Sequence, residues 1–154
     1  MDTSKRIAVL TGATGGLGHA FLKELLKSDF DEIWAVGRNE KRLEELSEEF
    51  GTGIIPLRMD LTKSEDIELF CEILKEQNPQ VDVLINNAGI AQMKASKDLK
   101  VKEIEDTIDL NCKAPVLLTN ICLPYMKRGG KIINVCSASS FQPVPYINLY
   151  ASSK

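Results

Sequence analysis

The 154-residue sequence is poor in the residues from which most metal centres are built. It has one histidine, His19, and four cysteines, Cys71, Cys112, Cys122 and Cys136. No two of these cysteines form a C-x-x-C pair or another spacing typical of zinc ligands. We therefore expect no metal site, and we interpret the cysteines as buried thiols in a reducing compartment.

Long apolar runs and an excess of positive charge are also missing. No run approaches the roughly 20 residues that a transmembrane helix needs, and the N-terminus lacks the apolar segment of a signal peptide. The net charge is −3, with Lys and Arg scattered, so no basic surface for nucleic acid is indicated. Repeats and linkers are absent as well. These absences predict one cytoplasmic domain over residues 1–154, with neither a membrane nor a nucleic-acid partner.

Short apolar runs alternate with helical patterns along the chain. Five strands separated by helices predict an α/β fold, a doubly wound parallel sheet of the Rossmann type. Pro56 predicts an edge position for the third strand, because proline cannot donate to a strand ladder. Ligands bind beyond the carboxyl ends of the strands in such folds. The predicted strands are Arg6–Gly12, Glu32–Arg38, Gly53–Asp60, Val81–Gly89 and Lys131–Ser137.

Helical periodicity fills the segments between the strands. The third helix is the clearest, because Thr62 and Glu65 form a capping box ahead of an i, i+3, i+4, i+7 apolar repeat. A long helix is predicted from about Val101 to the cations and glycines at 127–130, which are helix-stop signals. The apolar positions that define the first three helices are Leu17, Ala20, Phe21 and Leu25, then Leu43, Leu46 and Phe50, then Ile67, Phe70, Cys71 and Leu74.

A glycine-rich loop, "TGATGGLG", follows the first strand. The strict G-x-G-x-x-G fingerprint is absent. Nevertheless, a glycine loop between a strand and an amphipathic helix brings backbone N–H groups and the positive end of the helix dipole to a pyrophosphate. This position predicts a dinucleotide site. The residues that we expect to bind the cofactor here are Thr11, Gly12, Thr14, Gly15, Gly16, Leu17 and Gly18.

The end of the second strand bears on which dinucleotide binds. Dinucleotide folds that take NAD carry an acidic residue here, which accepts hydrogen bonds from the ribose 2′-OH. This sequence has Gly37 followed by Arg38. A guanidinium binds a 2′-phosphate that a carboxylate would repel, so NADP(H) is favoured over NAD(H). The alternative is that Arg38 is a solvated loop cation, because the glycine loop holds no second basic residue.

Further motifs follow the fourth and fifth strands. "NNAG" occupies Asn86–Gly89, and "YASSK" places Tyr150 four residues before Lys154. Ser137 lies thirteen residues before Tyr150. In this order the motifs are similar to those of the short-chain dehydrogenase/reductase family, in its shorter branch. The matching positions are Thr11, Gly12, Gly16 and Gly18 for T-G-x-x-x-G-x-G, residues 86–89 for N-N-A-G, Tyr150 and Lys154 for Y-x-x-x-K, and Ser137 and Asn111 for the family's catalytic serine and active-site asparagine.

A second pattern fits the glycine loop. Gly12, Gly15 and Gly18 also match T-G-x-x-G-x-x-G, the loop of the family's longer branch of sugar-nucleotide epimerases and dehydratases. That branch shares the tyrosine and lysine but usually lacks N-N-A-G. Asn86–Gly89 therefore favours the shorter, dehydrogenase branch.

The resemblance implies a role for each matching side chain. Tyr150 would be the general acid that protonates a carbonyl oxygen as hydride arrives, and Lys154 would favour its phenolate and bind the nicotinamide ribose. Ser137 would hold the substrate oxygen, with Ser139 and Ser140 as competitors for that role. Asn111 would support a water-linked proton path.

The cofactor and substrate contacts extend to the neighbouring loops. The resemblance implies that Asp60 contacts the adenine, with Leu61 beside it, and that Asn87, Ala88 and Gly89 accommodate the adenosine ribose. The loop before Tyr150 is expected to line the substrate site, and its apolar character favours a small carbonyl or alcohol substrate with an uncharged portion. Its candidate lining residues are Phe141, Pro143, Pro145 and Tyr146.

Chains of this family continue well past the lysine of Y-x-x-x-K. We therefore expect a Rossmann domain that is truncated after the fifth strand, incomplete at its C-terminus and nearly inactive alone. The parent protein is predicted to be an NAD(P)-dependent oxidoreductase, and a homo-oligomer if the chain is complete. The alternatives are a catalytically inactive dinucleotide-binding module and a sugar-nucleotide epimerase or dehydratase.

Overall fold

A five-stranded parallel sheet forms the centre of the protein, which is described by a computed structural model over residues 4–142 and 144–154. The strand order is β3-β2-β1-β4-β5. The chain therefore changes direction across the sheet between β1 and β4, and this is the point where α/β sheets place their ligand sites. The strands are β1 Arg6–Thr11, β2 Glu32–Gly37, β3 Ile54–Arg58, β4 Gln80–Asn86 and β5 Lys131–Asn134.

The edge position predicted from Pro56 is confirmed. Within the described part of the chain, strand β3 pairs only with β2, where Pro56 lies opposite Ala35. Strands β3, β4 and β5 each end earlier than the sequence predicted, because the residues beyond Arg58, Asn86 and Asn134 turn into the loops at the carboxyl edge. These loops carry most of the predicted site residues.

Helices cover both faces of the sheet, which confirms the doubly wound class. Ile7 and Val9 of β1 pack into one apolar layer with residues of α3 and α5. Ala8 and Leu10 point to the opposite layer, where α1 and α2 pack. This alternation follows from the two-residue repeat of a strand. The helices are α1 Gly16–Leu25, α2 Glu40–Phe50, α3 Ser64–Gln77, α4 Val101–Ile108, α5 Ala114–Cys122 and α6 Asn148–Ser153.

Three details of the predicted helices are wrong. In α1, Leu17 and Ala20 are exposed, and the buried face consists of Gly18, Leu22 and Leu25. Leu17 turns away from the core because it lines the cleft described below.

The capping box predicted ahead of α3 does not form. The helix begins at Ser64 after Lys63, which makes no side-chain capping bond. The hydroxyl of Thr62 instead donates to the carboxylate of Asp60 at 2.8 Å. The Thr62 hydroxyl is therefore used in a turn at the end of β3 and does not cap α3.

The single long helix predicted from Val101 is also wrong. A π-helical turn, Asp109–Lys113, separates α4 from α5, and α5 passes into a short 3₁₀ turn, Leu123–Tyr125. Pro115 and Pro124 lie at these two transitions. Proline has no N–H to donate and clashes with the carbonyl four residues earlier, so neither position can continue a regular α-helix.

Candidate functional site

A cleft of about 580 Å³ opens at the carboxyl edge of the sheet. It lies where the strand order reverses, between the loops that follow β1, β2 and β4 and the start of α6. Most of the residues predicted from the sequence meet here. Those that line the cleft are Gly12, residues 14–18, Arg38, Leu61, residues 87–89, Tyr150 and Lys154.

The glycine loop is packed too closely for side chains at two of its positions. Gly12 has a φ of +66°, and a Cβ there would lie 2.9 Å from the Cα of Ala88. A Cβ on Gly18 would collide with the carbonyl oxygen of Gly12. The backbone of the loop is thereby pressed against the β4 loop. The first N–H groups of α1, which have no partner within the helix, lie at the cleft.

Packing does not separate the two loop patterns that fit the sequence. A Cβ on Gly15 would come no closer than 3.6 Å to any neighbour, and one on Gly16 would meet nothing within 4 Å. Both glycines line the cleft, and neither is packed closely against another part of the protein. Glycine at either place leaves room for a ligand to approach the backbone.

Thr11 joins the first and fourth strand loops from below the cleft. Its buried Oγ1 accepts hydrogen bonds from the N–H groups of Asn87 and Ala88, both at 3.0 Å. The amide of Asn87 donates in return to the carbonyl oxygens of Thr11 at 3.0 Å and Gly12 at 3.1 Å. Thr11 does not line the cleft, and its contacts instead fix the two loops that do.

Two guanidinium groups, not one, line the end of the cleft beyond β2. Arg38 is there as the sequence predicted, and Arg42 in the first turn of α2 joins it. The side chain of Asn39 caps that helix by accepting the N–H of Arg42 at 3.1 Å. From the sequence, a second cation was expected only in the glycine loop, which holds none. The asparagine cap that follows Arg38 was the available signal, because it brings the first turn of α2 to the same edge.

Asp60 does not line the cleft; its neighbours Met59 and Leu61 do. Its carboxylate accepts the hydroxyl of Thr62 at 2.8 Å and the N–H of Thr62 at 3.1 Å. Burial raises the pKa of the Asp60 carboxyl, but these hydrogen bonds and the charge of Arg38 outweigh it, so the pKa lies below its ordinary value. Asp60 is thus an ionised turn residue next to the cleft.

Asn111 is held by the π-helical turn, where it ties together two segments of the site. Its Oδ1 accepts the N–H of Ile90 at 2.9 Å, and its Nδ2 donates to the carbonyl oxygen of Ile90 at 2.8 Å. The same Nδ2 donates to Ser153 Oγ at 2.8 Å, and Ser153 Oγ donates to the carbonyl oxygen of Tyr150 at 2.9 Å. Asn111 is buried and outside the cleft lining. Sequence reasoning missed Ser153.

Tyr150 and Lys154, at the end of the chain, line the cleft together. Burial lowers the pKa of the Lys154 ammonium below its ordinary value, while the nearby thiols of Cys136 and Cys112 act in the opposite direction. The position of this ammonium, half-buried in the cleft that Tyr150 also lines, suits a group that stabilises negative charge.

Ser137 follows β5, outside the lining of the cleft. Its Oγ lies 2.7 Å from the Oγ of Ser139 and accepts the N–H of Ser139 at 3.2 Å. In the loop that follows, Phe141, Pro145 and Tyr146 are exposed. Pro143 lies outside the described residues.

Other kinds of site find no support in the described residues. Nowhere between residues 4 and 142 or 144 and 154 do three or more His, Cys, Asp or Glu side chains gather in a way that could hold a metal ion. In the same two segments no helix is both long and apolar enough to span a membrane. His19 is used elsewhere, since its Nε2 lies 3.2 Å from Glu49 Oε2.

Comparison with known proteins assigns the family. A family model described as short chain dehydrogenase matches residues 6–154. The chain belongs to the short-chain dehydrogenase family. Among curated proteins, it is 30% identical to an uncharacterized oxidoreductase of Staphylococcus epidermidis, with 97% of this chain and 66% of that protein covered. It is 32% identical to an NADP-dependent 3-hydroxy acid dehydrogenase of Escherichia coli, with 96% and 60% covered.

Solved structures of oxidoreductases share the fold. A metagenomic short-chain oxidoreductase in complex with NADP matches with a TM-score of 0.87 and 29% identity, over 98% of this chain and 70% of that one. A 4-hydroxyisoleucine dehydrogenase complexed with NADH matches with a TM-score of 0.84 and 28% identity, over 96% and 61%. This short-chain dehydrogenase chain thus spans about two-thirds of the length of its relatives.

Proposed function

We propose that this chain forms the nucleotide-binding and catalytic part of an NADP(H)-dependent oxidoreductase that acts on a small carbonyl or alcohol. One observation carries the proposal. A single cleft brings the glycine loop, two arginines, Tyr150 and Lys154 together. Membership of the short-chain dehydrogenase family and NADP-dependent relatives support it.

The residues of the chain divide the work between binding and proton transfer. The bound nicotinamide would supply or accept the hydride. Tyr150 would donate a proton to the substrate oxygen, or remove one from it in the reverse direction. Lys154 would stabilise the phenolate left behind, because its ammonium lines the same cleft. Ser137 would orient the substrate oxygen, and Asn111 would hold the loop at Ile90 and α6 in register.

The choice of NADP(H) rests on Arg38 and Arg42. Both side chains line the end of the cleft next to β2, where the ribose of the adenosine would lie. Gly37 precedes them at the end of β2, so the strand does not end in a carboxylate that would repel a 2′-phosphate. A guanidinium that donates two N–H groups to a phosphate binds it more strongly and more specifically than a solvated cation does.

Affinity measurements on variants test this choice. Replacing either arginine, Arg38→Ala or Arg42→Ala, should weaken NADP⁺ binding about tenfold or more, since hydrogen bonds between charged groups contribute roughly 1.5–3 kcal/mol. NAD⁺ binding should change little. Lys41→Ala is the matched control, because Lys41 is exposed on the same helix turn and does not line the cleft. An equal loss for both dinucleotides would contradict the assignment.

Catalysis has its own test. In a longer protein that contains this chain, Tyr150→Phe should abolish NADPH-dependent carbonyl reduction and leave NADP⁺ affinity within about twofold. We propose that the 154-residue chain binds nucleotide but turns over little substrate, since α6 supplies only the six residues Asn148–Ser153 around the tyrosine. Nucleotide binding without turnover in the longer protein as well would favour an inactive binding module.

The exposed apolar side chains of α4 and α5 support assembly with a second copy. Val101 is 71% exposed and Val116 is 69% exposed. We propose that these helices take part in a homo-oligomer of the longer protein. Sedimentation of that protein with Val116→Glu would show a shift towards the monomer.

A further inference from the structure

Helix α6 carries Tyr150 at its centre and ends next to Lys154, and it is only six residues long, Asn148–Ser153. A helix of this length gains little stability from its own hydrogen bonds, because nucleation costs more than so few residues return. Contacts with the rest of the protein must therefore fix its place and its rotation about its own axis. The orientation of Tyr150 and Lys154 depends on those contacts.

The faces of α6 differ in burial. Tyr150 and Lys154, four residues apart, lie on the face that lines the cleft. Ala151 and Ser153 flank this face and are 9% and 5% exposed, whereas Ser152 on the opposite side is exposed. Ser153 is thus a buried polar residue directly before Lys154, and it needs hydrogen-bond partners inside the protein.

The hydroxyl of Ser153 joins α6 to the π-helical turn. It donates to the carbonyl oxygen of Tyr150 at 2.9 Å, and it accepts a hydrogen bond from Asn111 Nδ2 at 2.8 Å. A serine in a helix often bonds to a carbonyl of the preceding turn, so the first contact alone would be ordinary local structure. The second contact joins residues that are 42 positions apart in the sequence. It makes the hydroxyl a bridge between Asn111 and the backbone of Tyr150.

The backbone of Ser153 makes a further contact with the same turn. The thiol of Cys112, next to Asn111 in the chain, donates to the carbonyl oxygen of Ser153 at 3.3 Å. Two neighbouring residues of the π-helical turn therefore hold Ser153, one through its side chain and the other through its main chain. Contacts at two points limit the rotation of the helix as well as its displacement.

Asn111 is itself fixed, so it can serve as an anchor. Its amide binds the N–H of Ile90 at 2.9 Å and the carbonyl oxygen of Ile90 at 2.8 Å. The same amide lies close to the lysine. A Cβ on Gly89 would lie 3.2 Å from Asn111 Oδ1 and 3.4 Å from Lys154 Nζ. The group that holds Ser153 is therefore a near neighbour of the ammonium that lines the cleft.

We propose that Ser153 is a positioning residue: its hydroxyl, anchored on Asn111, sets the rotation of α6 so that Tyr150 and Lys154 both face the cleft. This assignment rests on the proposed oxidoreductase function, in which these two side chains act together on the substrate oxygen. Ser153 does not line the cleft, and no bond is made or broken at its hydroxyl. It acts through the geometry of α6 alone.

The first experiment reads the position of α6 without any turnover. Amide hydrogen exchange of the intact 154-residue chain is followed by NMR in the parent, in Ser153→Ala and in Ser152→Ala. Ser152→Ala is the matched control, because it makes the same change on the exposed side of the same helical turn. The N–H of Ala151, which donates to the carbonyl oxygen of Ile147 at 2.8 Å, is the reporter.

The reporter should exchange about fivefold to tenfold faster in Ser153→Ala, because α6 loses its bridge to the π-helical turn. Exchange in β1 and β4 should stay as in the parent, and Ser152→Ala should match the parent throughout. Equal rates at Ala151 in the parent and in Ser153→Ala, or an equal acceleration in Ser152→Ala, would overturn the proposal.

The second experiment measures turnover in a longer protein that contains this chain. The probe is the small aldehyde or ketone that the parent reduces fastest with NADPH, and kcat is counted per NADPH-binding site so that unfolded protein does not contribute. Ser153→Ala should lower kcat about tenfold, since the tyrosine is no longer aligned with the substrate oxygen. The KM for NADPH should stay within about twofold. Ser153→Thr, which keeps the hydroxyl, should regain most of kcat.

The outcomes separate the two proposals. An unchanged kcat in Ser153→Ala, an equal loss in Ser152→Ala, or a Ser153→Thr variant no more active than Ser153→Ala would overturn the positioning role. A parent without turnover on any of the carbonyl compounds would instead refute the oxidoreductase function. The exchange rates would then still decide whether Ser153 holds α6.

Discussion

Replacing Thr11 by valine tests whether the Thr11 hydroxyl holds the loops after β1 and β4 together. Valine has nearly the same shape as threonine but no hydroxyl. Thr11 is 1% exposed. Its hydroxyl accepts hydrogen bonds from two backbone N–H groups at 3.0 Å and donates one to the carbonyl oxygen of Ile85 at 3.3 Å. Thr11→Val therefore removes the partners of three backbone groups without creating a cavity.

The magnitude follows from these contacts. Each backbone N–H that loses its partner in a partly buried place costs about 1 kcal/mol, so the two from Asn87 and Ala88 together cost about 2 kcal/mol. The longer bond to Ile85 adds a smaller amount. Thr11→Ser is the matched control. It keeps the hydroxyl and loses one buried methyl group, which costs about 1 kcal/mol.

Urea unfolding, followed by the fluorescence of Trp34, measures the difference. Trp34 is the sole tryptophan and lies in the core at 2% exposure, so its emission reports on global unfolding. With a slope of about 2 kcal/mol per M, Thr11→Val should lower the midpoint by about 1 M urea. The serine variant should fall between the valine variant and the parent. A valine variant as stable as the parent, or more stable than the serine variant, would refute the argument that the Thr11 hydroxyl holds the two loops together.

Two further predictions concern the cleft and its rim. Gly18→Ala should destabilise the protein by about 2–3 kcal/mol, because its Cβ would collide with the carbonyl oxygen of Gly12. Gly16→Ala should be neutral, since its Cβ meets nothing within 4 Å. Equal urea midpoints for the two variants would contradict this prediction. Asp60 has a lowered pKa in the folded state, so its ionised form, held by Thr62, contributes stability above about pH 4 that is lost as the pH falls through the lowered value. Asp60→Asn should therefore cost about 0.5–1 kcal/mol at pH 7 in urea unfolding and progressively less below pH 4; a difference that does not vary with pH would count against it.

Local sequence signals were sufficient for the sheet and its edge. Apolar runs predicted every strand, and the missing N–H of Pro56 predicted the place of β3 at the rim. Motif positions also indicated which loops would meet, because the carboxyl ends of parallel strands converge at one edge of the sheet. The roles of Tyr150, Lys154 and the other site residues remain predictions.

Two features with local signals in the sequence were missed. Arg42 joins Arg38 only because an asparagine cap starts α2 at the rim of the cleft. The π-helical turn that carries Asn111 had a signal in Pro115, but periodicity alone predicted an unbroken helix. Periodicity records which face of a helix is apolar. It does not record where a proline withdraws a backbone donor.

The hydrogen bonds of the site connect its two halves through the loop after β4. Thr11 holds the start of that loop against β1, and Asn111 holds Ile90, farther along, through both its N–H and its carbonyl. From Asn111 the path continues through Ser153 to the backbone of Tyr150. A shift of this loop would thus move the glycine-loop wall and the tyrosine wall of the cleft relative to each other. The side chains of Thr11, Asn111 and Ser153, which form this path, lie outside the lining of the cleft, so the geometry of the proposed reaction depends on residues beyond the cleft itself.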